Sequence, residues 1–246
     1  MDFFDFGNVV CSFFDRNSGF SHGLFSSLNC SKFVGDDLDS VRKNLEFVRK
    51  SVGAKKLITL NQIHSAKCII VDENSKSDQE ADALVTRSEG VALGILTADC
   101  VPVLLFDPIK KIIGAAHAGW KGAKSGVIES TIEKMISLGS RREDISAVIG
   151  PCVHVESYEV GEDFLSNFPS EYFSKIEGKN HGDKNHFDVV KFCSDKLKKL
   201  GVPKISVINT DTFKNHEKYF SFRYARKNSD GVCGRNISVI CLKSTS

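Results

Sequence analysis

The sequence predicts an α+β fold: a single-domain, mixed β-sheet sandwich with flanking helices, spanning residues 1–246. Three observations predict it. Short apolar runs rich in Val, Ile and Leu crowd the middle of the chain, bounded by Gly or polar breaks. Helix-period patterns occur as a few separate segments. The order of the two is mixed, without the strict strand–helix alternation of a doubly wound sheet.

The strand-like runs are Leu57–Leu60, Cys68–Asp72, Ala83–Thr86, Val91–Thr97, Val101–Phe106 and Ile112–His117. Ile145–Ile149, Ile205–Ile208 and Ile237–Leu242 look similar. Continuous apolar character suits strands covered on both faces. A helix is predicted over Leu38–Val52. A second covers Ser125–Leu138, where Val127, Ile128, Ile132, Met135 and Ile136 share one face and Gly139 supplies the stop. A third starts from the N-cap Asp188; Val189, Val190, Cys193, Leu197 and Leu200 repeat at helical spacing before Gly201. The polar stretch Ser174–His186 reads as an excursion outside these elements.

A chain of 246 residues can bury a full core without disulfides. The net charge of +2 argues against a nucleic-acid binder. No apolar run approaches the ~20 residues of a membrane span, so no membrane partner is expected. The N-terminal MDFFDFGNVVCSFFD is acidic where a secretory signal is basic. The eight cysteines contain no Cys-x-x-Cys pair, and a reducing cytoplasm with free thiols is the expected setting. No GxGxxG opens a helix and no Walker A sequence occurs, which leaves a nucleotide fold unsupported.

Three segments carry chemistry. Asn61-Gln62-Ile63-His64, Thr97-Ala98-Asp99-Cys100 and His117-Ala118-Gly119-Trp120-Lys121-Gly122 each place a reactive side chain at the end of a predicted strand. Singly, His64 reads as a structural hydrogen-bonding residue and Cys100 as a core thiol. If His64, Cys100 and His117 meet, two imidazoles and a thiolate suit one Zn²⁺, with a fourth position open for an activated water. The same residues equally support a metal-free nucleophile, Cys100, with His117 as its base. Asp99 either orients one of these residues through a hydrogen bond or caps a turn. Lys121 and Arg223 are the cations suited to an anion. Cys152 is a buried thiol or, in a structural metal site, a fourth ligand. His154, His181, His186 and His216 read as surface residues.

The motifs NQIHS, ADALVT, LTADCVPVLLFD, AAHAGWKG, AVIGPCV with SYEVG, and YFSFR with GRNISVI resemble the YfiH-type family, also labelled laccase-domain or polyphenol oxidase proteins. The resemblance runs from about Phe20 to Ile240. Arg16, Gly19 and Ser21 match its N-terminal segment with Ser18 in place of a Gly; Tyr224 stands where a second Arg is frequent, and Ser157 where a Cys is frequent. The resemblance implies a mixed sandwich similar to a bacterial toxin domain that uses a Cys-His pair. It implies Zn²⁺ on His64, Cys100 and His117, the catalytic residues. It also implies phosphorolysis of adenosine, inosine, guanosine and 5′-methylthioadenosine, together with adenosine deamination. Asn61, Gln62, Asp99, Lys121, Arg223 and Arg16 are the expected contacts to nucleoside and phosphate, in a monomer or homodimer. An alternative is a cytoplasmic amidase or Cys-His hydrolase acting on peptidoglycan precursors. A copper laccase needs paired His-x-His patterns, and the seven histidines form none.

Overall fold

Strands with no polar face must be covered on both sides, and the chain meets that demand by stacking two sheets between helices. The computed structural model describes residues 1–178 and 182–243. In chain order the strands are β1 (Asp2–Asp5), β2 (Val9–Phe13), β3 (Lys56–Ile58), β4 (Leu60–Asn61), β5 (Cys68–Ile70), β6 (Gln79–Glu80), β7 (Ala83–Thr86) and β8 (Val91–Thr97). They continue as β9 (Val101–Asp107), β10 (Ile112–Ala118), β11 (Ser146–Ile149), β12 (Phe173–Gly178), β13 (Gly182–Phe187), β14 (Lys204–Val207) and β15 (Asn236–Leu242). The helices are α1 (Leu38–Ser51), α2 (Trp120–Ser125), α3 (Val127–Ser137), α4 (Glu162–Leu165), α5 (Val189–Lys199) and α6 (Phe222–Asn228).

One sheet runs β1-β2-β15-β8-β3 and the other β14-β11-β9-β10-β7-β5, each mixing parallel and antiparallel pairs. Alternation along each strand divides its residues between two cores. Leu93 and Ile95 of β8, with Cys11 and Phe13 of β2, meet Leu104, Phe106 and Ile113 between the sheets. Ala92, Leu96, Ile237 and Val239 face the other way, onto Val48 of α1. Val103, Leu105 and Ala116 pack on Ile128, Ile132 and Met135 of α3 and Leu197 of α5. Each such buried aliphatic side chain contributes about 1.5–3 kcal/mol. The expected α+β sandwich is the architecture observed.

Asp37 caps α1 by accepting from Ser40 N at 2.8 Å, and Asp188 caps α5 by accepting from Lys191 N at 2.8 Å. The predicted second helix is α3; a short helix the sequence reading did not anticipate, α2, precedes it, and Gly126, at φ +99°, separates the two. The run Leu57–Leu60 also divides. Lys56–Ile58 pairs with β8, whereas Leu60–Asn61 leaves that sheet and pairs with β6. The N-terminal apolar stretch forms the antiparallel β1–β2 pair. Of the stretch Ser174–His186, read as an excursion, the described residues instead form the antiparallel pair β12–β13, with Phe173 opposite Phe187. His186 is buried rather than on the surface, because its Nδ1 bonds Val155 O at 2.8 Å. His154 and His216 are half-buried, the latter stacked on Tyr224 at 3.7 Å; His181 lies outside the described residues. Among the described residues, no helix is long and apolar enough to cross a membrane.

Candidate active site

The connection Ala98–Cys100 carries the chain from β8 in one sheet to β9 in the other, and this crossing places Cys100 at the sandwich rim. Asp99 sits there at φ +85°, a left-handed conformation that Asp tolerates better than most side chains. Its Oδ1 accepts from Thr212 Oγ1 at 2.8 Å and its Oδ2 from Arg223 N at 2.7 Å. Burial pushes its carboxyl above the usual range, against the pull of those bonds. The Asp99 carboxylate therefore pins the turn to α6 and bonds neither imidazole.

His117 lies near the end of β10, buried and opposite Pro102 on β9. His64 follows β4, exposed and at φ +59°. Side-chain donor atoms of His64, Cys100 and His117 all lie within 4.8 Å of one another. The two imidazole rings meet edge-on with centroids 4.7 Å apart, and Cys100 Sγ is 4.0 Å from His64 Nε2. The glycines of AHAGWKG permit this convergence. A Cβ on Gly119 would fall 2.8 Å from His64 Cδ2, and one on Gly122 would fall 2.9 Å from Ser65 O.

The electrostatics follow from the packing. Burial pushes the Cys100 thiol up, but the neighbouring His117 imidazolium outweighs it, with help from His64, and brings it down to about 6. Burial works to lower His117, yet the Cys100 thiolate and the Asp82 carboxylate raise it to about 9. Asp82, itself buried, stands 2.9 Å from His117 Nδ1. Asp82 lies in the ADALVT motif, but the residues alone assign it no role at the site.

The cluster opens onto a cavity of about 810 Å³. Its walls include Trp120, Tyr158 and Phe222 and four cations, Lys121, Arg223, Arg226 and Lys227. The Arg223 guanidinium lies over the Tyr158 ring at 4.9 Å and donates to Glu159 O at 3.0 Å. Arg226 and Lys227 stand three and four residues after Arg223, the spacing that gathers side chains on one helix face. A smaller cavity of about 310 Å³ reaches His64 and Cys100 from another side, lined by Asn61, Gln62, Phe33 and Arg235. The Gln62 amide is committed to Leu96, accepting from its N at 2.8 Å and donating to its O at 2.7 Å. Arg16 lines neither cavity. Its guanidinium donates to Ser26 O and His216 O and covers the Phe220 ring, so it braces backbone rather than an anion. Cys152 is fully buried, with its thiol pushed well up by burial, and does not join the three-residue cluster.

Residues 10–243 match the family described as multi-copper polyphenol oxidoreductase laccase. A purine nucleoside phosphorylase of Deinococcus radiodurans is 40% identical over 181 residues, 71% of this chain and 70% of that protein. Another from Corynebacterium glutamicum is 32% identical over 235 residues, 94% of this chain and 93% of that protein. Among solved structures, a Neisseria meningitidis protein of the DUF152 family superposes with a TM-score of 0.84 at 32% identity, covering 99% of this chain and 100% of that one. The Bacillus licheniformis protein YfiH does so with a TM-score of 0.86 at 27% identity, covering 96% and 93%. With the sequence match reaching nearly end to end and the sandwich shared along its length, the chain belongs to the YfiH-type, laccase-domain family.

Proposed function

We propose that the protein is a purine nucleoside phosphorylase that works with one Zn²⁺ held by His64, Cys100 and His117. The observation that carries this reading is the meeting of those donors within 4.8 Å beside an aromatic, cation-lined cavity. Two imidazoles and a low-pKa thiol are a fitting donor set for Zn²⁺ and leave room for a fourth partner. The names of the relatives support phosphorolysis as the reaction class. The substrates of this reading are adenosine, inosine, guanosine and 5′-methylthioadenosine, with hydrolytic deamination of adenosine as a second activity. The eight free cysteines favour a reducing cytoplasm.

In phosphorolysis the bond from ribose C1′ to the purine nitrogen breaks while a bond from C1′ to a phosphate oxygen forms. Arg223 and Lys121 hold the phosphate, Arg223 pre-set by its stacking on Tyr158. Trp120, Tyr158 and Phe222 give the purine and sugar apolar walls that exclude water. His117 presents Nε2 toward the cluster because Nδ1 faces Asp82. Zn²⁺, when bound, supplies Lewis-acid polarisation at this point.

A second reading has an observation of its own. Cys100, His117 and Asp82 line up as nucleophile, base and orienting carboxylate, the order of a Cys-His hydrolase. Its substrate class is an amide of a peptidoglycan precursor. Chelation separates the two, since a metal-free hydrolase survives it. For laccase chemistry, the one three-residue cluster of His, Cys, Asp and Glu among the described residues is too small for several copper ions.

The test is chromatography of adenosine incubated with zinc-loaded protein, with and without phosphate. Adenine that forms only with phosphate, and inosine that forms without it, are the expected products. Folded, zinc-loaded protein that yields no purine product overturns the nucleoside reading and promotes the hydrolase.

A further inference from the structure

Asp82 receives more polar contacts than any mechanism above uses. Its side chain is fully buried immediately before β7, next to the position at which Ala83 faces Ala116. Oδ1 accepts from His64 N at 2.9 Å and lies 2.9 Å from His117 Nδ1. Oδ2 accepts from Ser65 N at 2.6 Å, Ser65 Oγ at 2.8 Å and Ile63 N at 3.3 Å. The Asp82 carbonyl also accepts from His117 N at 2.7 Å. One residue thus holds both the loop that carries His64 and the ring and backbone of His117.

We infer that Asp82 is the positioning residue of the site, fixing His117 with its proton on Nδ1 and holding the His64 turn so that both imidazoles face Cys100. Three physical points carry this. A carboxylate accepts only, so the His117 nitrogen beside it must be the donor, which turns Nε2 toward Cys100. His64 occupies a left-handed conformation that is costly for an ordinary residue and persists only when its surroundings over-determine it. Three consecutive N–H groups, from Ile63, His64 and Ser65, converge on Asp82 and supply that constraint. An acceptor of this kind behind a metal-binding histidine sets ring orientation and raises its basicity. The assignment rests on the reading of His64, Cys100 and His117 as metal ligands, yet the Asp82–His117 contact stands without it.

The test uses Zn²⁺ itself as the probe, by competition with a chromophoric chelator on the full chain. Asp82→Asn keeps the shape but turns an amide N–H toward N–H donors. It is expected to remain folded by circular dichroism and to weaken Zn²⁺ binding about 10–100-fold. Ser65→Ala, which removes the hydroxyl's bonds with Asp82 and Lys67 N but keeps the Ser65 N–H contact, is expected to change affinity by less than about 3-fold. An Asp82→Asn protein that folds and binds Zn²⁺ as tightly as wild type overturns the inference. Ring nitrogen-15 spectra of wild-type protein decide the matter if the variant fails to fold. A proton on His117 Nδ1 sustains the inference, and a bare Nδ1 refutes it. Wild-type protein that binds no Zn²⁺ refutes the metal reading alone, and the same spectra then judge Asp82.

Discussion

Gly119 offers the sharpest perturbation. It precedes α2 with φ −65° and ψ 157°, an extended conformation that alanine adopts freely. Gly119→Ala therefore strains no backbone, and its whole effect is the added methyl group. That carbon would stand 2.8 Å from His64 Cδ2, 3.2 Å from Cys100 Sγ and 3.4 Å from His64 Nε2. Ordinary carbon contacts lie near ~3.5–4.0 Å, so the imidazole must retreat by roughly 0.7–1 Å. His64 is exposed, and its ring can swing outward without disturbing the core. Stability should then change by less than about 1 kcal/mol, as for other substitutions that spare the core. A displacement near 1 Å at a reacting centre costs about 100-fold in rate. The assay is kcat/KM for phosphate-dependent adenosine cleavage, paired with a thermal melt. A folded variant within about 3-fold of wild type would refute the placement of His64 in the working site. A melt lowered in step with activity would show that Gly119 matters for folding instead.

Other consequences are testable alongside it. In metal-free protein the thiolate of Cys100 should be present above about pH 6 instead of about pH 9, so alkylation by iodoacetamide should rise with pH through a midpoint near 6; His117→Ala removes the cation that lowers it, leaves burial to raise it, and should move the midpoint upward. Arg223→Ala should raise the KM for phosphate about 10–100-fold, the worth of a charge-assisted bond of about 1.5–3 kcal/mol. Arg16→Ala should leave that KM within about 2-fold while lowering the melting temperature, since its bonds go to Ser26 O and His216 O. A Cβ on Gly150 would come within 2.2 Å of the buried Phe13 ring and 2.9 Å of Pro102, so Gly150→Ala should cost about 1–3 kcal/mol. At about 2–4 °C per kcal/mol in a chain of this size, calorimetry would register it, and an unchanged melt would contradict the packing described.

The sandwich was legible because its strands need apolar residues on both faces, as in Val91–Thr97 and Val101–Asp107, which stay buried throughout. The split at Thr59 was not legible, because leaving one sheet for another is decided by distant partners, β8 and β6, not by local composition. The pairing of β12 with β13 hid behind polar residues, with Phe187 and His186 buried and Phe173 packed against the body of the protein. At the site, strand-end placement and the glycines of AHAGWKG marked the three clustered residues. The surroundings of Arg16 were not legible, because a cation read alone does not show whether carbonyl groups already engage it. Asp82 escaped because its meaning lies in five donors that reach it from residues 63–65 and 117. Sequence separation conceals that kind of contact entirely.

One metal at His64, Cys100 and His117 serving nucleoside phosphorolysis ties metal content to activity. Elemental analysis of purified wild-type, Cys100→Ala and His117→Ala proteins, each assayed in parallel for phosphate-dependent adenine release, tests it most directly. One zinc per wild-type chain, near-complete loss of zinc in both folded variants, and loss of adenine release in step are the expected results. Variants that shed the metal yet keep the activity, or that keep the metal at full occupancy, would contradict it.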